Sequence, residues 1–154
     1  MSKVLTLNTS TNKGARSDIF EPCIPSGKYR LAFEYFETAK MFNHDKLVLS
    51  FKVIDFGDAF ETPLKRFYNV DHIKGKPQKN GNFKATKGGD FMIEYLTVFP
   101  NYVPSRLDRI NMEVFKDKVI IGKVKTVTKN NRQRQLPEPM QYSVIEQLIG
   151  LGDH

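Results

Sequence analysis

Lysines and arginines are concentrated in two segments of the chain, with aromatic or β-branched residues between them. Residues 62–87 and residues 116–135 each hold seven Lys or Arg against one acid, so together they contribute +12 to a net charge of +7. The other 108 residues therefore sum to −5. A local excess of cations on an otherwise acidic chain creates a positive field, and phosphate backbones are the commonest partner of such a field. The pattern favours nucleic-acid binding, and the alternative is two solvated, lysine-rich loops.

The first segment places cations and rings in four consecutive residues, Lys65, Arg66, Phe67 and Tyr68. Binding of single strands needs both types, because cations follow the phosphates while exposed rings stack on unpaired bases. Successive side chains of a strand point to opposite faces. Lys65 and Phe67 should therefore share one face, with Arg66 and Tyr68 on the other. Only one ring can face outward, and the alternation leaves open which one.

A stretch rich in Gly, Asn and Lys follows, and it carries an isolated ring, Phe83. The near neighbours of this ring in sequence are polar, so the pattern favours a place on the surface over a place in the core. We therefore predict that Phe83 stacks on a base. The cations of this stretch that we expect to contact phosphate are Lys74, Lys76, Lys79 and Lys84.

The second segment combines a strand with a basic loop. Lys123 and Lys125 are two residues apart in a Val- and Ile-rich run, so they should share one face. The loop that follows contributes three further cations, Lys129, Arg132 and Arg134. Arginine pairs with phosphate through two parallel hydrogen bonds and also stacks on bases, which suits a clamp on the backbone. The alternative is a solvated hairpin tip.

Residue patterns typical of catalysis are weak. The chain has neither a Walker-type phosphate loop nor a GxSxG elbow, and its three His lack metal-ligand spacing. A single cysteine, Cys23, excludes an internal disulfide and a Cys-rich zinc site. The acids at 55, 58 and 61 are close in sequence but have no spacing that supports a metal-dependent nuclease. The sequence therefore predicts a protein that is not an enzyme and uses no metal or cofactor.

Length and composition indicate one soluble domain behind a polar arm. At 154 residues the chain can bury a sizeable core. Residues 1–22 are rich in Ser, Thr and Asn and are predicted to form a flexible arm, while residues 23–150 form the domain. No run approaches the roughly 18 apolar residues that span a bilayer, and the N-terminus lacks a signal core. We expect a cytoplasmic protein without membrane contact.

Period-two patterns predict the strands. Apolar residues alternate from Tyr29 to Tyr35 and again from Leu47 to Val53, with the phase blurred near Phe36, as at a bulge. Residues 59–70 are typical of a third strand with Pro63 at an edge or bulge. Two further strands are predicted at 118–128 and from residue 142 onward.

Between the third and fourth strands the period changes to that of a helix. Phe91, Met92, Tyr95 and Phe99 mark one face of a helix that should begin near Asp90 and end before Pro100. Residues 74–90 are predicted to form a loop, and Ser105 is a candidate cap of a second, short helix. This order of elements predicts a mainly β fold, the five-stranded Greek-key barrel of the OB-fold.

The C-terminal half resembles the single-stranded-DNA-binding proteins of phages and mobile elements. The resemblance is carried by 122–128, by the basic loop before Leu136-Pro137, and by 142–145, and it extends to 25–29 and 65–70. It implies an OB-fold that coats single-stranded DNA with little sequence preference during replication or recombination, in a bacterial cell or a phage-infected host. Many relatives of this kind end in an acidic tail that recruits replication enzymes, whereas residues 150–154 contain one acid.

The sequence is compatible with several binding partners. The residues do not separate DNA from RNA, and the long first and second strands offer a surface for a homodimer. Replication or recombination proteins are further candidate partners. The competing interpretation is an interaction module, in which the basic loops only steer an acidic protein or a duplex. Exposed rings on the domain surface distinguish the two, because electrostatic docking does not require them.

Overall fold

The fold is described by a computed structural model that covers residues 20–152, and it is mainly β. Five strands form one antiparallel sheet in the order β3-β2-β1-β6-β7, and β4 and β5 form a separate two-stranded hairpin. One α-helix, α1, lies between β5 and β6. The elements run as follows: β1 Gly27–Met41, β2 His44–Val53, β3 Pro63–Asn69, β4 His72–Lys74, β5 Asn82–Lys84, α1 Asp90–Val98, β6 Val119–Val127 and β7 Tyr142–Leu151.

The sheet has two edges, β3 and β7. Within residues 20–152 no ladder of strand pairing joins these two edges, so the closed barrel expected from the sequence is not seen as a closed sheet. The two edge strands lie side by side, and α1 contacts both of them. Glu94 of α1 accepts hydrogen bonds from the Tyr68 hydroxyl of β3 at 2.7 Å and from the Leu148 amide of β7 at 2.8 Å. A buried carboxylate thus connects the two edge strands.

The predicted alternation is confirmed in β2, and in β1 as far as Phe33. Tyr35 was predicted to share the face of Phe33, but it pairs with Ser50 and lies on the outer face. Leu47, Leu49, Phe51 and Val53 are buried on the inner face of β2. The register of β1 with β2 shifts between Phe33 and Tyr35, where the sequence pattern indicated a bulge. The tight turn that joins the strands has positive φ at Phe42 and Asn43, as a two-residue hairpin loop requires.

The helix also lies where its period predicted it. Phe91, Met92, Tyr95 and Val98 are buried on α1, and the Phe91 ring packs edge-on against Tyr68 of β3 at 5.2 Å between centroids. Phe115 is fully buried at the centre of the core, with the ring centroids of Phe99 and Phe33 at 5.0 and 5.2 Å. The helix face and the inner face of the sheet therefore share one core.

Two expectations about local structure are wrong. The third strand begins at Pro63 rather than at residue 59, because residues 57–62 form turns closed by the Phe60 and Thr62 amides. Ser105 caps no helix; a short 3-10 helix forms later, at Met112–Phe115, and is capped by the Asn111 side chain.

Residues 74–90 were expected to form a loop, but part of this range pairs as β-structure. They include β5 and a segment that pairs with the far half of β1, through the Thr38 amide to Gln78 O and the Asn80 amide to Phe36 O, both 3.0 Å. β6 pairs only with the first half of β1, so this segment covers an edge that would otherwise be free. Glycine is required at Gly81, where a Cβ would stand 2.5 Å from Thr38 Oγ1.

Among residues 20–152, no helix combines the length and the apolar character needed to cross a membrane. Residues 1–19 of the predicted arm lie outside the described residues. The last residues of that arm are held against the sheet, since the Ser143 amide donates to Pro22 O at 2.9 Å.

Candidate functional site

A cleft lies between the β1–β2 turn and the loop that joins β6 to β7. We call it the loop cleft. Its exposed apolar side chains come from three distant parts of the chain: Phe42 is 67% exposed, Met140 48% and Phe20 37%. Large apolar side chains gathered at one exposed site are a sign of binding rather than of folding. The remaining lining residues are Glu21, Lys129, Asn130, Asn131, Leu136 and Tyr142.

The β6–β7 loop is shaped by one side chain, Asn130. Its Oδ1 accepts hydrogen bonds from the amides of Arg132 and Arg134, at 2.9 and 3.0 Å. The Leu136 amide closes the base of the loop by donating to Thr128 O at 2.7 Å. Lys129, Arg132 and Arg134 are all exposed. The backbone of the tip is thus organised while its cations point into solvent.

A second depression, the sheet pocket, lies on the outer face of β1, β2 and β3. Tyr35, Ser50 and Lys65 form one cross-strand row at its base, because Tyr35 pairs with Ser50 and Ser50 pairs with Lys65. Phe67, two residues beyond Lys65, also lines it. The pocket continues to the start of β7 and shares lining residues with the loop cleft. Its other lining residues are Glu21, Pro22, Glu34, Pro63, Leu64, Tyr142, Ser143 and Val144.

A third depression begins where the sheet pocket ends. Lys79 stands over the Tyr35 ring, with Nζ 4.8 Å from the ring centroid. Tyr35 and Glu34 line both depressions, so the surface between them is continuous. Lys116 also lines the third depression and is paired with Glu113 at 3.0 Å. We refer to the loop cleft, the sheet pocket and this depression together as the groove.

Cations of both basic segments reach the groove. Lys65 lines the sheet pocket, Lys79 the third depression and Lys129 the loop cleft. Lys125 pairs directly with Val144, which lines the sheet pocket, so it stands beside the groove. Its neighbour Lys123 pairs with Gln147 further away and is 3.9 Å from Glu146. The groove therefore gathers cations that are up to 64 positions apart in sequence (Lys65 and Lys129).

The groove also contains hydroxyls and carboxylates. Burial, followed by the charge of Glu21, raises the pKa of Tyr142 above its ordinary value, so its hydroxyl stays protonated at neutral pH. Glu21 and Glu34 line the groove and form no ion pair with another residue of the described part. Phosphates should therefore lie near the lysines and arginines at the rims, away from these two acids.

The structure resolves which ring of β3 faces outward. Phe67 is half-buried and lines the sheet pocket beside Lys65, as their predicted common face required. Tyr68 is on the inner face, 2% exposed, and its hydroxyl donates to Glu94. Burial, and then the Glu94 charge, raises the pKa of Tyr68 well above its ordinary value. Of the two rings that the sequence left open, Tyr68 is therefore the one that faces inward, and the prediction that it contacts a base is wrong.

The Arg66 side chain also lies on the inner side of β3. Its guanidinium donates to both carboxylate oxygens of Glu94, at 3.1 and 2.5 Å, and to Phe67 O at 2.8 Å. The side chains of Arg66 and Glu94 are only 13% and 6% exposed. The expectation that Arg66 holds a phosphate is wrong here, because a buried carboxylate already occupies its donors.

The prediction for Phe83 is wrong as well. The ring is 6% exposed and packs edge-on against Phe36 of β1 and Phe91 of α1, with centroids 6.3 and 5.8 Å away. Its neighbours in sequence are polar, but its neighbours in space are not. The apolar surroundings come from elements that the local pattern around Phe83 does not reveal.

Two predicted cations lie apart from the groove, around the β4–β5 hairpin. Lys74 Nζ is 2.6 Å from Asp108 Oδ2, and Lys84 Nζ is 3.6 Å from Asp71 Oδ2. Hydrogen bonds from Lys74 and then from Arg106 hold the pKa of Asp108 far below its ordinary value. These cations are matched by acids at an exposed site of their own, whereas Lys76 is exposed in the loop after β4.

Several residues of the groove were not predicted. Phe42 had a signal, since a large ring in a two-residue turn cannot reach the core. Tyr35 was part of the alternating pattern, but the bulge moves it to the outer face. Phe20 was assigned to the arm. Tyr142 and Ser50 had no local signal, because only the folded sheet brings them together.

Comparisons of the chain with family models, with curated proteins and with solved structures found no match. The resemblance to phage and mobile-element proteins therefore stays a prediction. Among residues 20–152, no three His, Cys, Asp or Glu side chains are grouped so that they could hold a metal ion.

Proposed function

We propose that this protein binds single-stranded DNA in the groove, with little sequence preference along the strand, and is not an enzyme. Phe42, Phe20, Phe67 and Tyr142 offer ring faces to unpaired bases. Single-strand binders combine such rings with a basic track, because every base has a face to stack and every nucleotide has a phosphate. The proposed role is the coating of exposed strands during replication or recombination.

The observation that carries the proposal is that one groove brings together exposed rings and three cations, Lys65, Lys79 and Lys129, that form no ion pair within residues 20–152. Phe42 and Met140 are both exposed in the loop cleft. A surface that only steers an acidic partner does not require exposed rings, so this feature favours a single strand over a duplex or an acidic protein.

The topology supports an OB-like fold as part of this proposal. The sheet order β3-β2-β1-β6-β7, with α1 between its third and fourth strands in sequence, is what remains when a five-stranded Greek-key barrel opens between β3 and β7. In OB-folds, oligonucleotides bind on the face of the second and third strands, between the loops after the first and fourth strands. In an OB-like fold, the sheet pocket and the loop cleft would correspond to these places.

The charge of the groove predicts its salt dependence. Five cations that form no ion pair within residues 20–152 line it or stand on its loop: Lys65, Lys79, Lys129, Arg132 and Arg134. If each neutralises one phosphate of a single strand, log K should fall with log salt at a slope of about −3.5. A single domain of this kind covers roughly 4–16 nucleotides. Binding to RNA and self-association on longer strands are compatible with the same groove.

The test is fluorescence anisotropy of a labelled 30-nucleotide deoxythymidine strand, with Phe42→Ala compared against Phe56→Ala. Both rings are exposed in turns, at 67% and 90%, but Phe56 is stacked on Phe60 outside the groove. Loss of one stacking ring is worth about 1–3 kcal/mol, so Phe42→Ala should weaken binding about 5- to 150-fold. Phe56→Ala should bind like the parent.

Other results would contradict the proposal. If the two variants behave alike, the groove does not stack bases. If unlabelled duplex displaces the strand as well as single strands do, the basic segments are a general docking surface. If the strand is shortened when magnesium is present, the protein is a nuclease.

A further inference from the structure

The sheet pocket contains a buried hydroxyl without a partner. Ser50 is 5% exposed, and its Oγ makes no hydrogen bond within residues 20–152. A buried hydroxyl without a hydrogen bond is unfavourable, and buried polar groups on interior strands of a sheet usually have a partner. Ser50 faces the pocket between Tyr35 and Lys65, its cross-strand neighbours. A ligand that enters the pocket would supply the missing partner.

The walls of the pocket indicate a flat aromatic ligand. Three rings, of Tyr35, Phe67 and Tyr142, line it, and they come from three different strands. Flat rings with a polar edge fit such a site, because the faces pack against aromatic walls while the edge reaches a hydrogen-bonding group. A nucleobase has this shape, and Ser50 lies where its edge would be.

The acids at the pocket limit the kind of base. Glu21 and Glu34 both line it, and an ionised carboxylate is only an acceptor. An exocyclic amine, such as N4 of cytosine, donates to carboxylates, whereas the O4 of uracil or thymine is itself an acceptor. Two acceptors at the rim therefore favour a base with an amino group and disfavour one with a carbonyl at the same position.

We infer that the sheet pocket is a single-base subsite that takes an amino-bearing nucleobase, with Ser50 at its floor and Glu34 or Glu21 on the exocyclic amine. This inference rests on the proposed function and refines it: most of the strand is held without preference, and one position is read. The subsite lies next to Lys65 and Lys79, which would hold the phosphates on either side.

The experiment compares labelled eight-nucleotide strands of deoxycytidine and deoxyuridine. The two bases differ in the group at position 4 and in the proton on N3, and neither carries the methyl group of thymine. The parent should bind the deoxycytidine strand about fivefold or more tightly, as one base contact of this kind provides. Exchange of both acids, Glu21→Gln with Glu34→Gln, should remove the preference, because an amide can also donate to a carbonyl.

Ser50→Ala tests the floor of the pocket. It should weaken binding of the deoxycytidine strand about fivefold without loss of folding, since the hydroxyl that it removes has no partner within residues 20–152. Thr62→Val is the matched control. Thr62 is 2% exposed and its Oγ1 is also unpartnered there, but it does not line the pocket, so binding should not change.

The outcomes separate this inference from the proposed function. Equal binding of the two strands by the parent overturns the base subsite and leaves the single-strand binder intact. A loss with Thr62→Val equal to that with Ser50→Ala also overturns it, because the effect would then not come from the pocket. Absence of binding to either strand overturns both proposals.

Discussion

The buried carboxylate of Glu94 should determine whether β3 stays in place beside β7. Four donors converge on it: two from Arg66, the Tyr68 hydroxyl and the Leu148 amide. Glu94→Ala would leave the Arg66 charge in a site where its side chain is 13% exposed. Removal of one partner of a buried ion pair typically costs about 3–5 kcal/mol. We expect a cost of about 4 kcal/mol, since Arg66 keeps its hydrogen bond to Phe67 O.

That loss can be measured by urea unfolding followed by circular dichroism. For a chain of this size, with a slope of about 2 kcal/mol/M, the midpoint should fall by about 2 M. The melting temperature should fall by roughly 10 °C. The control is Glu113→Ala, an acid that is 73% exposed in its pair with Lys116, for which we expect a change below about 0.5 kcal/mol.

A double variant makes the reasoning refutable. Arg66→Leu combined with Glu94→Leu removes both charges, so it should cost less than the sum of the two single changes. Strict additivity, or a cost of Glu94→Ala below about 1 kcal/mol, would show that this carboxylate does not hold the edge strands together. A folded Glu94→Ala protein should also bind single strands more weakly, because Lys65 and Phe67 alternate with Arg66 and Tyr68 along β3.

Two further predictions follow from buried and charged groups outside the groove. Phe83→Ala should destabilise the protein by about 3–5 kcal/mol, because a core ring is lost. The affinity of the folded fraction for the deoxythymidine strand should stay within twofold. A large loss of affinity with unchanged stability would instead place Phe83 on the binding surface. Asp108→Asn should reduce the acid sensitivity of the fold. Because the folded-state pKa of Asp108 is lowered, its ion pairs stabilise the fold above the unfolded pKa of about 4, and that contribution is lost as pH falls below it toward the folded pKa. Urea midpoints at pH 6 and pH 3 should therefore differ more for the parent than for Asp108→Asn, and an equal difference would contradict this.

Local periodicity was sufficient for most of the architecture. The alternation along β1 and β2 and the 3.6-residue period over Asp90–Val98 predicted these elements within a few residues. The bulge near Tyr35 was visible because a change of phase in an alternating pattern has a local cause. Contacts within one helix or strand depend on the spacing of residues along the chain, so they can be predicted from the sequence alone.

The faces and the groove depended on contacts between distant residues. The alternation predicted that Lys65 and Phe67 share one face of β3. It did not predict that Arg66 and Tyr68 lie on the inner face, where both donate hydrogen bonds to Glu94 of the helix. In the same way, Phe83 is buried by contacts with Phe36 and Phe91, although its polar neighbours in sequence predicted exposure.

By itself, the sequence determined where positive charge is concentrated, which segments alternate and where the helix lies, because each of these is a property of neighbouring residues. Only the tertiary structure decided which cations are matched by acids, as Lys74 is by Asp108, and which line a groove, as Lys65 does. The physical reason is that burial and ion pairing are set by partners many residues away, such as Glu94 for Arg66, and the packing of the edges of the sheet selects those partners.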